Sequence, residues 1–508
     1  MNHPHARPRA PESKCNKVLV TGATGYVGGR LVPNLLTAGH SVRCMVRDPG
    51  RLKGRDWEPE VEVCQGDVFD PESLATAMDG ASHAYYLIHS LGSGSEFDRR
   101  DQEAAEHFAK AAEAAGVQQI IYLGGLATPG PELSEHLRSR HSTGDSLRKG
   151  KVPVTEFRAG VIVGSGSLSF EIIRYLCERV PLMICPRWVF TKTQPIAIRE
   201  VIEYLTAAIK TQESRGQVIE IGGKDVLTYG DMMQIYAEVR GLRRRMIPVP
   251  ILTPRLSSYW VNMVTPIPLR YARPLIEGLR NENTVTDPSA KKLFPAIQPV
   301  GYRVAVERAL ERLRASHIET TWSDALRRAD AQSQPVVLAA REGMIVERRQ
   351  LRVGTSSAAI FRAFSGLGGD TGWLAFNWAW RLRGFFDRMI GGVGLRRGRR
   401  HPRDLRAGDA LDFWRVEAIE PDRLLRLRAE MKVPGLAWLE FKVEAKGKED
   451  SVLSQTAYFA PKGLSGSLYW YLLYPIHGLI FSSLIRRVGE RAEAIAKDHQ
   501  SKPSKALS

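Results

Sequence analysis

Cysteine is scarce. Five residues (Cys15, Cys44, Cys64, Cys177 and Cys185) are scattered over 508 positions, and no two stand in a CxxC pair. An odd count at irregular spacing excludes a disulfide framework and a cysteine zinc site, so no metal is expected. It points to a reducing, cytoplasmic setting. Unbroken apolar runs are also missing. Residues 256–264 are far too short to cross a bilayer. Residues 469–485 fall short of the roughly twenty needed and are interrupted by Pro475, His477 and Gly478. The segment before Lys17 is polar, with prolines and histidines but no apolar h-region, so no secretory signal is expected. Helix-turn-helix, zinc-finger and RNP-like patterns are absent, and nucleic acid is not an expected partner despite a net charge of +17. The basic excess fits a phosphorylated ligand or peripheral contact with an anionic membrane. Its densest run, Arg396-Arg397-Gly398-Arg399-Arg400-His401-Pro402-Arg403, has the Gly and Pro content of a loop.

What is present is an ordinary globular composition, 43% hydrophobic and 25% charged, in a chain too long for one core. The expected layout is a tail at 1–16, a first domain at 17–314 and a linker at 315–335. A second domain follows at 336–496, then a tail at 497–508. The oligomeric state is not specified by any pattern.

The organising stretch is Thr21-Gly22-Ala23-Thr24-Gly25-Tyr26-Val27-Gly28. It follows the apolar run Lys17-Val18-Leu19-Val20 and precedes Arg30-Leu31-Val32-Pro33-Asn34-Leu35-Leu36, the order strand, turn, helix. Such a turn sets backbone N–H groups and a helix N-terminus against a pyrophosphate. The spacing is GxxGxxG rather than GxGxxG. This stretch resembles the atypical and extended short-chain dehydrogenase/reductase families, especially NmrA-like and complex-I-subunit-like members, over about 17–294. The resemblance implies a doubly wound α/β Rossmann fold and bound NAD(P).

Residues 41–47 read as the second strand, with Gly39 suited to cap the preceding helix. Arg47 stands nineteen residues after Gly28, about where dinucleotide folds place an acid on the ribose 2′-hydroxyl. An arginine there suits the 2′-phosphate of NADP. Asp48, one residue later, keeps NAD as the alternative. Residues 61–68 read as the third strand. Their Gly66-Asp67-Val68 ending resembles the reductase pattern, which implies Asp67 and Val68 near the adenine. Asp70 is a suitable N-cap for a helix over 71–78. Residues 84–90 read as the fourth strand, whose end (Leu87, Ile88, His89, Ser90) should border the cofactor. The expected cofactor contacts are Gly22, Thr24, Gly25, Tyr26, Val27, Gly28, Arg47, Asp67, Val68, Leu87 and Ile88.

Residues 98–115 read as a helix closed by Gly116, and 119–126 as the fifth strand. Catalytic members of the resembled family carry Ser or Thr after this strand and Tyr-x-x-x-Lys on the next helix. The tyrosine there exchanges a proton with the reacting oxygen and the lysine lowers its pKa. Here Gly124-Gly125 follows the strand and the 134–148 stretch has no tyrosine. The spacing matches are His136-x-x-x-Arg140 and Leu137-x-x-x-His141. His89, His136, Arg140 and His141 are therefore the weak catalytic candidates, with exposed helix residues around a bound cofactor as the plain alternative. Residues 154–166 resemble the sixth strand and its glycine-rich exit, which implies proximity to the nicotinamide. Residues 193–201 then read as a strand entering a helix, 218–223 as a further strand, and proline-rich 241–294 as a substrate lobe. Residues 290–314 read as one closing helical stretch.

After about residue 335 the pattern turns mostly β. Residues 344–353, 411–419, 424–432, 436–445 and 451–459 read as strands, with 356–364 a short helix and 468–496 a long one. The order is that of an α+β helix-grip fold with an antiparallel sheet. This part also resembles an uncharacterised domain fused behind NmrA-like reductases and related to the START/polyketide-cyclase superfamily. The supporting segments are Gly368-Gly369-Asp370-Thr371-Gly372-Trp373, Gly391-Gly392-Val393-Gly394, Asp412-Phe413-Trp414-Arg415-Val416 and Ala429-Glu430-Met431-Lys432-Val433-Pro434-Gly435. Three readings follow. One is an NADP-dependent reductase or epimerase-like enzyme acting on an apolar carbonyl, an enone or an isoprenoid- or lipid-like molecule, the second a non-catalytic NADP-binding sensor, regulator or scaffold, the third a carrier of a hydrophobic ligand.

Overall fold

The computed structural model describes residues 17–52, 55–88, 95–127, 130, 133–249, 261, 264–265, 267, 269–314, 336–341, 343–368, 372–389, 405–447 and 449–500. The chain divides into two units, Met1–Ala329 and Asp330–Ser508.

In the first unit, strands β1 (Lys17–Thr21), β2 (Ser41–Val46), β3 (Glu62–Gln65), β4 (His83–Tyr86), β5 (Gln119–Gly125), β6 (Val154–Ala159) and β7 (Val218–Ile221) form one sheet. Its order is β7-β6-β5-β4-β1-β2-β3, and every pairing is parallel. The order reverses between β1 and β4, which opens the crevice where open α/β sheets take their ligands. The central strands β1, β4 and β5 are short runs buried on both faces, Val18, Leu19 and Val20 among them, as a sheet covered by helices requires, while the edge strand β3 is largely exposed.

The helices are α1 (Gly28–Thr37), α2 (Pro71–Met78), α3 (Ser95–Ala114), α4 (Glu135–Arg148), α5 (Leu168–Arg179), α6 (Ile198–Ala208), α7 (Tyr229–Arg240), α8 (Leu269–Gly278) and α9 (Tyr302–Arg314). Gly39 stands just past α1 at φ +86°, its N–H on the Leu36 carbonyl, and Gly116 does the same past α3 at φ +72°. Asp70 caps α2 by accepting from the Glu72 N–H at 3.1 Å.

Some expectations are corrected here. The fourth strand ends at Tyr86, so Leu87 and Ile88 are loop, and His89 and Ser90 lie outside the described residues. The 290–314 stretch is two helices, Ser289–Leu293 and α9, because Pro295 and Pro299 cannot continue the first. Residues 250–260, 262–263, 266 and 268 of the expected 241–294 lobe lie outside the described residues. Its described part includes a strand, Arg245–Val249, paired in parallel with Leu182–Pro186, and α8.

The second unit carries a seven-stranded antiparallel sheet. In chain order its strands are β8 (Val336–Arg341), β9 (Met344–Val353), β10 (Ala410–Leu411), β11 (Trp414–Glu420), β12 (Leu424–Ala429), β13 (Gly435–Ala445) and β14 (Ser451–Pro461), arranged β8-β9-β14-β13-β12-β11-β10. Helices α10 (Ser357–Ser365), α11 (Asn377–Met389) and α12 (Gly463–Gln500) complete it. Phe364 of α10 stacks on Phe441 of β13, and Trp470 of α12 on Phe459 of β14. The Trp373 indole donates to Asp412 Oδ2 at 2.8 Å inside a cluster with Trp380, Phe413 and Trp414. Strand β8 and helix α11 were not expected from the sequence, α12 begins before residue 468, and β12 stops at Ala429. The arginine-rich run 396–403 lies outside the described residues.

Candidate functional site

The glycine turn stands at the crevice between β1 and β4. Gly22 takes φ +74°, and a Cβ there would come within 2.4 Å of the Leu87 carbonyl oxygen. A Cβ at Gly28 would come within 2.3 Å of the Gly22 carbonyl oxygen. Both glycines are thus required by backbone packed on backbone. Gly25 differs. Its N–H donates to Gly22 O at 2.9 Å, and an added Cβ would meet nothing closer than that oxygen at 3.2 Å. The free space beside Gly25 is a cradle that a side chain would fill. With Thr24, Tyr26 and Val27 half-buried and no acid in the first turn of α1, the turn fits a pyrophosphate. Thr21 ties the two strand ends together, its Oγ1 donating to Tyr85 O at 2.8 Å and accepting from Leu87 N at 3.3 Å.

Arg30, buried in α1, lays its guanidinium 4.2 Å from the Tyr26 ring centre and donates to Ser165 O at 2.9 Å. A Cβ at Gly164 would sit 2.5 Å from Tyr26 Oη. The exit of the sixth strand is therefore locked to the glycine turn through Tyr26 and Arg30. Arg30 was not singled out from the sequence, where it reads as an ordinary helix residue.

On the other side, Arg47 is exposed just past β2, and its carbonyl accepts from Gln65 Nε2 at 3.3 Å. Arg55, also missed, donates from Nη2 to the Thr24 carbonyl at 3.4 Å and lies 5.6 Å from the Trp57 ring centre. No motif marks Arg55; the chain merely folds back there. Asp67 turns its carboxylate to its own backbone, Oδ1 accepting from Phe69 N at 3.1 Å, while Val68 is buried. Leu87 and Ile88 are half-buried beside the turn.

The acid–base candidates sit differently. His136 is half-buried on α4. Arg140 donates from Nη2 to the Leu123 carbonyl at 2.5 Å. His141 is buried, its Nε2 3.0 Å from the Gly125 carbonyl, so Nε2 carries the proton. Burial, then the nearby Arg158, pushes its pKa down and keeps the ring neutral. Two of the three described candidates are thus tied to carbonyls at the end of β5.

Gly124, at the place of the expected hydroxyl residue, lies against Glu156, which sequence reasoning missed. This fully buried carboxylate on β6 accepts from Arg158 Nε at 2.7 Å and from Arg148 Nη1. A Cβ at Gly124 would stand 2.9 Å from its Oε1, and one at Gly144 only 2.3 Å from its Oε2. At Gly125 a Cβ would meet Leu137 Cδ2 at 2.8 Å. An arginine–glutamate–arginine cluster occupies the neighbourhood where a serine–tyrosine pair was sought. The first turn of α4 and the neighbouring helices carry apolar clusters. Ala127, Leu133 and Leu137 cluster on one side, and Ile172, Ile267, Ala272 and Ile276 join α5 to α8. The tie from α4 to the α8 end is polar, Ser134 N donating to Asn281 Oδ1 at 3.1 Å.

Residues 22–151 match the NAD(P)H-binding family model, and residues 340–484 match a protein of unknown function (DUF2867). The ceramide reductase of Caulobacter vibrioides is 30% identical over 242 residues, covering 46% of this chain and 73% of that protein. The chain belongs to the NAD(P)-binding, NmrA-like reductase family. A 3β-hydroxysteroid dehydrogenase/Δ5→4-isomerase of Mycobacterium tuberculosis is 36% identical to this family member over 120 residues, but the match spans 22% of the chain and 32% of that enzyme. A divinyl chlorophyllide a 8-vinyl-reductase of Zea mays is 25% identical, spanning 48% and 64%. Among solved structures, triphenylmethane reductase of Citrobacter sp. complexed with NADP(H) is 20% identical with a TM-score of 0.45, covering 58% of this chain and 99% of that one.

Proposed function

We propose that the protein is an NADP-dependent reductase of an apolar small molecule, a carbonyl or an enone, working without a Tyr-x-x-x-Lys pair. The observation that carries it is the glycine cradle at the β1/β4 crevice with Arg47 and Arg55 on its β2 side. Bound NADPH supplies a hydride. The chain's own residues do the rest. The turn from Gly22 to Gly28 offers N–H groups to the pyrophosphate, and Arg47 with Arg55 offers positive charge to the 2′-phosphate. The Tyr26–Arg30–Ser165 tie holds the nicotinamide-side loop. Helix α4 holds neither tyrosine nor lysine. An enone suits that lack. Hydride at its β-carbon leaves an enolate, which takes its proton from water without a strong acid beside it. The apolar residues along α4 and α8 favour an apolar substrate, as do relatives named for a ceramide, a steroid and a chlorophyllide.

The sheet and helices of the second unit support reading it as a helix-grip, START-like holder of the same kind of molecule. Its core contains Gln455, buried with neither amide atom hydrogen-bonded, a polar group a ligand could satisfy. We place the protein in the cytoplasm, which the free state of Cys44, Cys64, Cys177 and Cys185 supports.

Fluorescence titration with NADPH and NADH tests the reading. Wild type should prefer NADPH by about tenfold or more, the worth of one charge-assisted pair, and Arg47→Asp should cut that preference. No affinity for NADPH overturns it. Tight NADPH binding without turnover across a panel of enones and carbonyls gives the site to a non-catalytic sensor, which the ties of Arg140 and His141 to carbonyls would then explain.

A further inference from the structure

Two stripes of large apolar side chains lie open on the second unit. On α11 they are Trp378, Leu382, Phe385, Phe386 and Met389, at spacings of four, seven, eight and eleven, which is one helix face. The face opposite them carries Trp380 and Asp387, both buried. On α12 the exposed residues are Leu464, Leu468, Tyr471, Leu472, Ile476 and Leu479, again one face, with Leu472 at 79% exposure. The two helices are neighbours. Arg383 of α11 lies 5.8 Å from the Tyr469 ring centre on α12 and donates to Lys432 O at 3.4 Å. Lys432 N donates to Asp387 Oδ1 at 2.7 Å, and Lys462 N to Pro434 O at 2.9 Å, which brings the strand-end loop and exposed Leu436 into the same region.

Arg381, Lys432 and Lys462 are exposed around these stripes, with Arg383 half-buried. Acid is absent from the stripes. The one acid of α11 is the buried Asp387, committed to the Lys432 N–H, and residues 463–480 contain none. The neighbouring Glu430 is held by Arg415 at 2.8 and 3.1 Å.

We propose that this face docks on the surface of an anionic lipid bilayer, α11 and the first half of α12 lying in the interface with Arg381, Lys432 and Lys462 at headgroup level. The chemistry is that of interfacial helices: aromatic and leucine side chains on one face, basic residues beside them, no acid. Apolar stripes of this kind are uncommon on a protein that meets only water. Helix α12 is long and apolar enough by composition to cross a membrane, yet its other face argues against spanning. Trp470, Phe481, Leu484 and Val488 are buried in the core of the second unit, so α12 cannot enter the bilayer lengthwise without dismantling that core. Lying flat satisfies both faces.

The test is co-sedimentation of the full-length protein with sucrose-loaded vesicles, either pure phosphatidylcholine or phosphatidylcholine with phosphatidylserine. Binding should favour the anionic vesicles and weaken as salt rises. Phe386→Gln with Leu472→Gln, and separately Lys432→Glu with Lys462→Glu, should each weaken partitioning about tenfold. Circular dichroism and NADPH titration must stay at wild-type values for these exposed positions. No vesicle binding overturns the proposal, as does equal binding to neutral and anionic vesicles. A pellet resistant to alkaline carbonate overturns it in favour of a span. A dimer that forms without lipid and is dissolved by Phe386→Gln with Leu472→Gln, with no vesicle binding, overturns it in favour of a second copy of the chain.

Discussion

A Cβ at Gly28 would press on Gly22 O at 2.3 Å, whereas one at Gly25 meets that oxygen at 3.2 Å and otherwise open space. The two glycines should therefore fail differently. Gly25→Val keeps the melting temperature within a few degrees and loses NADPH binding; Gly28→Ala lowers the melting temperature, by about 2 kcal/mol of stability. Calorimetry with and without NADPH separates them. Gly144→Ala should also cost about 2–3 kcal/mol, because the new methyl stands 2.3 Å from a buried carboxylate that two arginines hold in place. His83 gives a pH dependence. Burial, then Arg215 and His40, depresses its pKa to about 4. An unfolded chain takes up that proton below about 6.5 while the folded one resists, so His83 contributes its stability in full above that pH and loses it as pH falls toward 4. Thermal melts between pH 7 and 4.5 should fall less steeply in His83→Gln than in wild type. The glycine turn was legible in the sequence because spacing along one strand–turn–helix fixes it, and the place of Arg47 just past β2 was legible from the apolar run before it. Glu156, Arg30 and Arg55 were not, since each meets its partner, Gly144, Ser165 or Thr24, only where separate elements converge.

Helix α7 shows how local chemistry reaches the element. Thr228 Oγ1 accepts from Asp231 N at 3.1 Å, Asp231 Oδ2 accepts from Thr228 N at 2.9 Å, and Gly241 closes the other end at φ +62°. Thr228→Ala should cost about 1 kcal/mol, read by urea denaturation. In the second unit, Trp373→Phe leaves Asp412 without the indole donor and should cost about 1–2 kcal/mol. Helix α11 escaped sequence reading for a physical reason. Its large apolar residues, Trp378, Leu382, Phe385, Phe386 and Met389, lie on the exposed face and Trp380 with Asp387 on the buried one, the reverse of the apolar-inside pattern by which a helix is read. Strand β8 falls inside the expected second domain, which begins at 336, but was not read as a strand, because it has only six residues, Val336–Arg341, and directly follows the polar linker.

On the scale of the whole chain, the ties named for the candidate site join described residues of the first unit: Gly22 to Leu87, Arg30 to Ser165, Arg55 to Thr24. Residues 17–314 expressed alone should bind NADPH with the affinity of the full chain, measured by calorimetric titration. A loss beyond about tenfold, more than one ordinary hydrogen bond, would show that the second unit completes the site. The sequence alone determined the order along the chain of the seven strands in the first unit's main sheet, the glycine turn and the change from alternating βα to mostly β, because these depend on neighbours along the chain. Tertiary structure decided what Gly124, Gly125 and Gly144 pack against, that Arg30 and Arg55 reach the glycine turn, and that the apolar faces of α11 and α12 are exposed. Those outcomes depend on which side chains folding brings within a few ångströms of each other, and local spacing does not carry that.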